Sequence, residues 1–274
     1  MTRIEKRFEQ LKSEKRHGFI PYITAGDPSG DITRDLIFGL EKAGADIIEL
    51  GVPFSDPIAD GPVIQRATER ALSQHMTLRK VLQLASEVRR QSQIPMVLFS
   101  YYNPIFRYGL KSLAKDAASA GFDGVLATDL TVEESEEYRS VMAAAKLNTV
   151  FLAAPTSSPE RLKMTAEAST GFVYAVSRTG VTGESQKLAS ELQGFLRELR
   201  RYTKSPIAVG FGISQPEHVR AVWEEADAAI VGSAIVREIE LNIGRADLVD
   251  RVTQFTKWLR GDWHEYRGLA HANR

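Results

Sequence analysis

Ala43-Gly44-Ala45-Asp46-Ile47-Ile48-Glu49-Leu50-Gly51-Val52-Pro53 reads as a helix end, a tight turn, a buried strand and the loop that leaves it. The same order returns in Ala120-Gly121-Phe122-Asp123-Gly124-Val125 and in Glu225-Ala226-Asp227-Ala228-Ala229-Ile230. Outward from this repeat, apolar β-rich runs cover 18–24, 47–51, 95–100, 124–128, 148–153, 171–176, 207–211 and 228–232. They are near-continuous in apolar residues rather than alternating, as parallel strands covered on both faces are. Amphipathic helical segments lie between them. Residues 31–43 put Leu36, Leu40 and Ala43 on one face, 77–91 put Val81, Leu84 and Val88, and 188–202 put Leu192, Phe195 and Leu199. Thr131…Glu134 and Ser214…Glu217 fit capping boxes, and Ser158-Pro159 fits a cap followed by a first-turn proline. Eight strand–helix units predict an α/β fold of the (β/α)8 TIM-barrel kind rather than a doubly wound sheet. With no composition break or linker, the expectation is a single domain over 1–274. An extra N-terminal helix over 1–16 carries Ile4, Phe8 and Leu11 at helical spacing, and the tail over 262–274 is unassigned.

The intervals between strand starts point to the site. The long ones run from 47 to 95 and from 171 to 207, so surplus chain follows the second and sixth strands. Catalytic groups of such barrels sit on loops after strands. The first surplus holds Asp56 and Asp60. The second holds Ser177-Arg178-Thr179-Gly180-Val181-Thr182-Gly183-Glu184, which suits a mobile lid or an ordinary surface loop. Glu49 is a carboxylate inside an apolar strand, costly to bury unless paired, neutralised or functional. Asp56 and Asp60 can be turn caps beside Pro57 and Gly61. A strand carboxylate with a loop carboxylate is equally a way to present acid–base groups to one pocket.

Val209-Gly210-Phe211-Gly212-Ile213-Ser214 leaves the seventh strand, and Val231-Gly232-Ser233-Ala234 leaves the eighth directly into a helical segment. Glycines there let an anion approach backbone amides at a helix N-terminus, where barrels often bind phosphate. Neither stretch contains Lys or Arg, so neutral amides, the Ser233 hydroxyl and a helix dipole of about 0.3–1 kcal/mol, up to roughly 2 when partly buried, would hold it. Gln215 in the third glycine's place excludes a dinucleotide fingerprint.

Composition bounds the rest. Of 274 residues 43% are hydrophobic, enough for a core. Lys plus Arg (35) cancel Asp plus Glu (35), which leaves no global field for nucleic acid or an anionic membrane. No cysteine means no disulfide and no thiolate metal site. His17, His75, His218, His264 and His271 show no metal-ligand spacing and read as surface. No signal peptide, membrane span, Gly-x-Ser-x-Gly or Walker loop is visible, so a cytoplasmic location is expected.

The stretch 48–61, with Asp56-Pro57-Ile58-Ala59-Asp60-Gly61 at its end, resembles the signature of the tryptophan synthase α chain family without a gap. Pro21-Tyr22-Ile23-Thr24-Ala25-Gly26-Asp27-Pro28, Tyr101-Tyr102-Asn103-Pro104-Ile105-Phe106, 177–183 and Gly210-Phe211-Gly212-Ile213 are similar to family stretches too. Two places depart from the family pattern: Thr131, where proline is common, and Arg66, where a smaller polar residue is frequent.

The resemblance implies retro-aldol cleavage of indole-3-glycerol phosphate to indole and glyceraldehyde 3-phosphate. It implies Glu49 as the general acid–base and Asp60 as the carboxylate that hydrogen-bonds the indole N–H. It places Tyr174 in the pocket, Thr182 on a lid that closes onto Asp60, and the phosphate on Gly183, Gly212, Gly232 and Ser233. Phe19, Tyr22, Leu98 and Tyr101 are candidate indole walls, while as isolated apolar residues each also reads as plain core. No cofactor is expected in this chain, while pyridoxal phosphate is expected in a β partner within an α2β2 complex. Pro53, Phe54, Asp56, Pro57, Asn103, Pro104 and Phe106 would face that partner, with Phe54, Ile105 and Phe106 expected to be exposed. A stand-alone lyase releasing indole, a silent regulatory barrel and another phosphosugar barrel are the competing readings. No strand carries the lysine a Schiff-base aldolase needs.

Overall fold

A computed structural model describes residues 1–176, 185–210 and 212–262, and side chains within these except at 185–191. Its strands are β1 (Gly18–Thr24), β2 (Ile48–Gly51), β3 (Met96–Ser100), β4 (Gly124–Ala127), β5 (Asn148–Val150), β6 (Leu152–Ala153), β7 (Val173–Val176), β8 (Ile207–Gly210) and β9 (Ala228–Val231). All pair in parallel in the order β5-β4-β3-β2-β1-β9-β8-β7-β6. The ends of that order, β5 and β6, are one extended run broken only at Phe151. Thr170 N–H donates to Thr149 O (2.9 Å) and Tyr174 N–H to Phe151 O (3.1 Å), so hydrogen bonds cross the break and the barrel closes. The expected (β/α)8 barrel is therefore observed, its fifth strand counted twice.

The repeat has a physical basis in its aspartates. Asp46, Asp123 and Asp227 accept the N–H of Phe19 (2.9 Å), Met96 (3.0 Å) and Ile207 (2.7 Å) through their carboxylates. Each also donates its own N–H to the carbonyl of that same residue. The aspartate thus fastens the start of one strand to the start of the preceding one, where a barrel needs register.

The first helix, α1 (Arg3–Ser13), starts with a capping box in which Thr2 Oγ1 accepts from Glu5 N–H and Glu5 Oε2 accepts from Thr2 N–H. Its buried Ile4, Phe8 and Leu11 plug the N-terminal end of the barrel, with Phe8 against Phe172 at 5.9 Å. The surplus after β2 contains an inserted helix, α2 (Pro62–Ser73), ahead of the covering helix α3 (Leu78–Arg89). A short helix α4 (Tyr102–Tyr108) follows β3, and α5 (Ser233–Leu241) follows β9. Ser158 caps its helix as expected, accepting from Arg161 N–H. The two expected capping boxes do not form. Thr131 heads only a 3-10 turn without a side-chain cap, and Gln215 rather than Ser214 occupies the cap position before Pro216. Among the described residues no helix is long and apolar enough to cross a membrane.

Candidate active site

Strand alternation decides which side chains look inward. Tyr22 pairs with Glu49 and Glu49 with Val97, so these three share the inner face. Glu49 is 0% exposed, and neither carboxylate oxygen has a hydrogen-bond partner among the described residues. Burial alone pushes its carboxyl up to about 8. At neutral pH the group is a proton donor held next to a cavity.

That cavity, about 360 Å³, lies at the C-terminal end of the strands. Tyr22, Glu49, Phe99, Tyr174 and Ile230 line its depth, Asp60, Gly61 and Ile64 one side, and Gly212, Ser214, Gly232 and Ser233 the other. Tyr22 packs edge-on against Phe99 at 5.0 Å and 71°. A Cβ on Gly51 would overlap the Tyr22 phenol and one on Gly210 the Tyr174 phenol, so both glycines exist to admit a ring. Burial pushes both phenols well above their ordinary range, which keeps them neutral beside the carboxylates.

Asp60 sits one residue before Gly61, the cap of α2. Its N–H donates to Pro57 O (3.1 Å) and its carbonyl accepts from Gln65 Nε2 (2.9 Å), which locks the loop end onto the helix. Burial raises the Asp60 carboxyl to about 6, partly offset by the nearby Tyr101 hydroxyl. That hydroxyl also accepts the Ala59 N–H at 2.9 Å. The cavity thus holds one carboxyl mostly protonated and one mostly ionised at pH 7, the separation that divides acid from anion.

At the opposite side Gly232 begins α5 without a side-chain cap, leaving first-turn amides open to an anion. No Lys or Arg lines the cavity among the described residues. Gly212 has φ 50°, the left-handed region that favours glycine, and this turns the chain around that end. A larger groove of about 940 Å³ beside α1 contains none of the candidate groups.

Two expected indole walls are misplaced. Phe19 is three residues from Tyr22 and Leu98 one from Val97, so both have the outward parity; they lie in the layer between sheet and helices. Phe99 and Ile64 supply walls that the sequence reading omitted. Counting in twos from Val97, the partner of Glu49, reaches Phe99; Ile64 is on the inserted helix and has no such signal. Tyr101 reaches the site through Asp60 rather than as a wall of the cavity's depth. Thr182 and Gly183, with the lid stretch 177–184, lie outside the described residues, as does the tail beyond 262.

Beside the site, Pro53 is buried, Phe54 is half-buried against Tyr101 at 5.3 Å, and Pro57 and Pro104 are half-buried. Asp56 and Asn103 are exposed. Phe106 is 70% exposed, but Ile105 is 0% exposed, a correction to its expected exposure: on α4 it faces the core while its neighbour faces out. Ile58, at the end of the loop expected to face the partner, is 87% exposed.

The family profile described as tryptophan synthase alpha chain matches residues 8–260. The chain is 53% identical to the tryptophan synthase alpha chain of Solibacter usitatus over 95% of this chain and 97% of that protein. It superposes on tryptophan synthase subunit alpha of Legionella pneumophila with a TM-score of 0.87 and 37% identity, covering 95% of this chain and 98% of that one. A chain of the tryptophan synthase α2β2 complex of Pyrococcus furiosus matches with a TM-score of 0.83 and 40% identity, covering 89% and 98%. The chain belongs to the tryptophan synthase alpha chain family.

Proposed function

We propose that Glu49 and Asp60 cleave indole-3-glycerol phosphate in this chain, as befits the alpha subunit of tryptophan synthase. The observation that carries the roles is the buried Glu49 carboxyl, without a hydrogen-bond partner among the described residues and raised to about 8, sharing a cavity with Asp60 at about 6. Protonated Glu49 delivers its proton to indole C3, making an indolenine whose N–H⁺ the Asp60 carboxylate stabilises. The Glu49 carboxylate then takes the proton of the adjacent glycerol hydroxyl. The C–C bond electrons return to the ring, releasing indole and glyceraldehyde 3-phosphate and restoring the Glu49 proton. General acid–base assistance of this kind is typically worth about 10²–10⁴-fold.

Tyr22, Phe99 and Tyr174 wall the indole, and Tyr101 steadies Asp60. Gly212, Gly232 and Ser233 hold the phosphate with the α5 dipole. The steps use side chains of this chain alone; pyridoxal phosphate belongs to the β chain that receives the indole in an α2β2 complex. Residues 54–58 with Asn103, Pro104 and Phe106 form the face toward β, and the exposed Ile58 and Phe106 favour docking over a stand-alone lyase. The barrel is one domain over 1–274 with α1 as its plug, working in the cytoplasm.

The test is glyceraldehyde 3-phosphate formation from indole-3-glycerol phosphate, with and without added β chain. Slow cleavage that rises sharply with β is expected. Fast cleavage alone would favour the stand-alone lyase, and none in either case would refute the substrate.

A further inference from the structure

Two helices begin at the cavity. The inserted helix α2 carries Asp60, because Gln65 Nε2 holds the Asp60 carbonyl at 2.9 Å and only Gly61 separates them. The helix α5 carries the open amides at Ser233. Ile64 and Ala67 of α2 meet Val236 of α5 and Tyr22 in one small apolar cluster. Beyond that cluster four charged side chains join the helices. Arg66 forks onto Glu240, Nε to Oε1 and Nη2 to Oε2, both at 2.7 Å. Arg70 donates Nη1 to the same Glu240 Oε1 at 2.7 Å. Its Nε and Nη2 fork onto Asp27 at 2.7 and 2.9 Å, on the loop after β1. The hydrogen bonds from Arg66 above all hold the Glu240 carboxyl down at about 2, so Glu240 is charged throughout the working pH range.

Isolated surface ion pairs contribute little, but forked pairs in a network are the exception. This network ends on Asp27, which is 1% exposed and cannot drift. We propose that Arg66, Arg70 and Glu240 are positioning residues that tie α2 to α5, and so set the separation between Asp60 and the phosphate end of the cavity. The inference rests on the proposed substrate, which must span both ends. A ligand that touches one end does not sense the separation, whereas one that bridges them does.

The experiment measures calorimetric affinities of the full chain for inorganic phosphate and for a stable indolyl-alkyl phosphate, beside kcat and KM for indole-3-glycerol phosphate with β chain present. The variants are Glu240→Gln, Arg66→Gln and the conservative Arg66→Lys. Arg66 is half exposed, so its variants keep the test available if Glu240→Gln fails to fold. Expected are phosphate affinity within about twofold of the parent, bridging-ligand affinity lowered about tenfold, a matching loss of kcat, and partial rescue in Arg66→Lys. Equal weakening of both ligands, or no change in either in a folded variant, would overturn the positioning role. Failure of the parent chain itself to bind the bridging ligand, with phosphate bound, would overturn the substrate reading and the positioning role with it.

Discussion

Replacing Glu49 by Gln should alter not only turnover but the pH dependence of folding. In the folded chain burial holds the carboxyl at about 8, against an ordinary 4.5. Between those values the folded state keeps a proton that the unfolded chain has released. The contribution is therefore favourable at low pH and is lost as pH rises. Integrated from pH 5 to pH 8, the loss amounts to about 3–4 kcal/mol. Gln is neutral throughout and fills nearly the same space, so it escapes that loss. Urea unfolding of both proteins at pH 5, 6, 7 and 8 should show the stability of Glu49→Gln relative to the parent rising by that amount. Comparing the two cancels the titration of Asp60, Asp27 and other groups that both proteins share. Cleavage in the same samples should fall by about 10²–10⁴-fold with phosphate affinity unchanged, since a proton carrier has been removed and not a binding group. A stability difference that stays flat across this range would show that burial does not hold Glu49 protonated, and the acid role would go with it.

Asp60 is needed as an anion and is raised to about 6, so kcat/KM should drop as pH falls through that value. Asp60→Asn should abolish that acid limb and lower turnover on the order of 10²–10³-fold, read from pH–rate profiles. Leu98→Ala should cost about 2–5 kcal/mol in urea unfolding with KM unchanged, because Leu98 faces the helices. Phe99→Ala should instead raise KM about tenfold, the scale of one lost apolar pocket contact, and the reverse pattern would refute the inward parity. Ile58→Ala combined with Phe106→Ala should weaken β binding by ~2 kcal/mol or more while β-free cleavage persists, measured by titrating β chain into the cleavage assay.

Much of the barrel was legible because its signals are local. Continuous apolar runs, helical stripes and the Gly-x-Asp or Ala-Asp turns before strands depend on neighbours a few residues away. The long interval after β2 even marked where an inserted helix would sit, though not that it was one. The failures have physical causes of another kind. Thr131 and Ser214 matched a capping pattern, yet the chain turned into a 3-10 segment at one and gave the cap position to Gln215 at the other. Phe19 and Leu98 were apolar and near the right strands, but their parity set them on the outer face. Ile105 and Phe106 are adjacent and equally apolar, and only the packing of α4 made one core and the other surface.

Taken alone, the sequence determined the order of strands and helices, the loops that carry chemistry, and the suspicion attached to a carboxylate inside an apolar strand. Periodicity and turn chemistry are properties of short stretches, so folding is not needed to see them. Tertiary structure decided which side of each strand looks inward and left Glu49 without a hydrogen-bond partner among the described residues. It also brought Asp60 and the amides at Ser233 to one cavity, and joined α2 to α5 through Glu240. Those facts depend on register between strands and on closure of the barrel between β5 and β6. A carboxyl's proton affinity is set by whatever surrounds it in three dimensions, which no count along the chain contains.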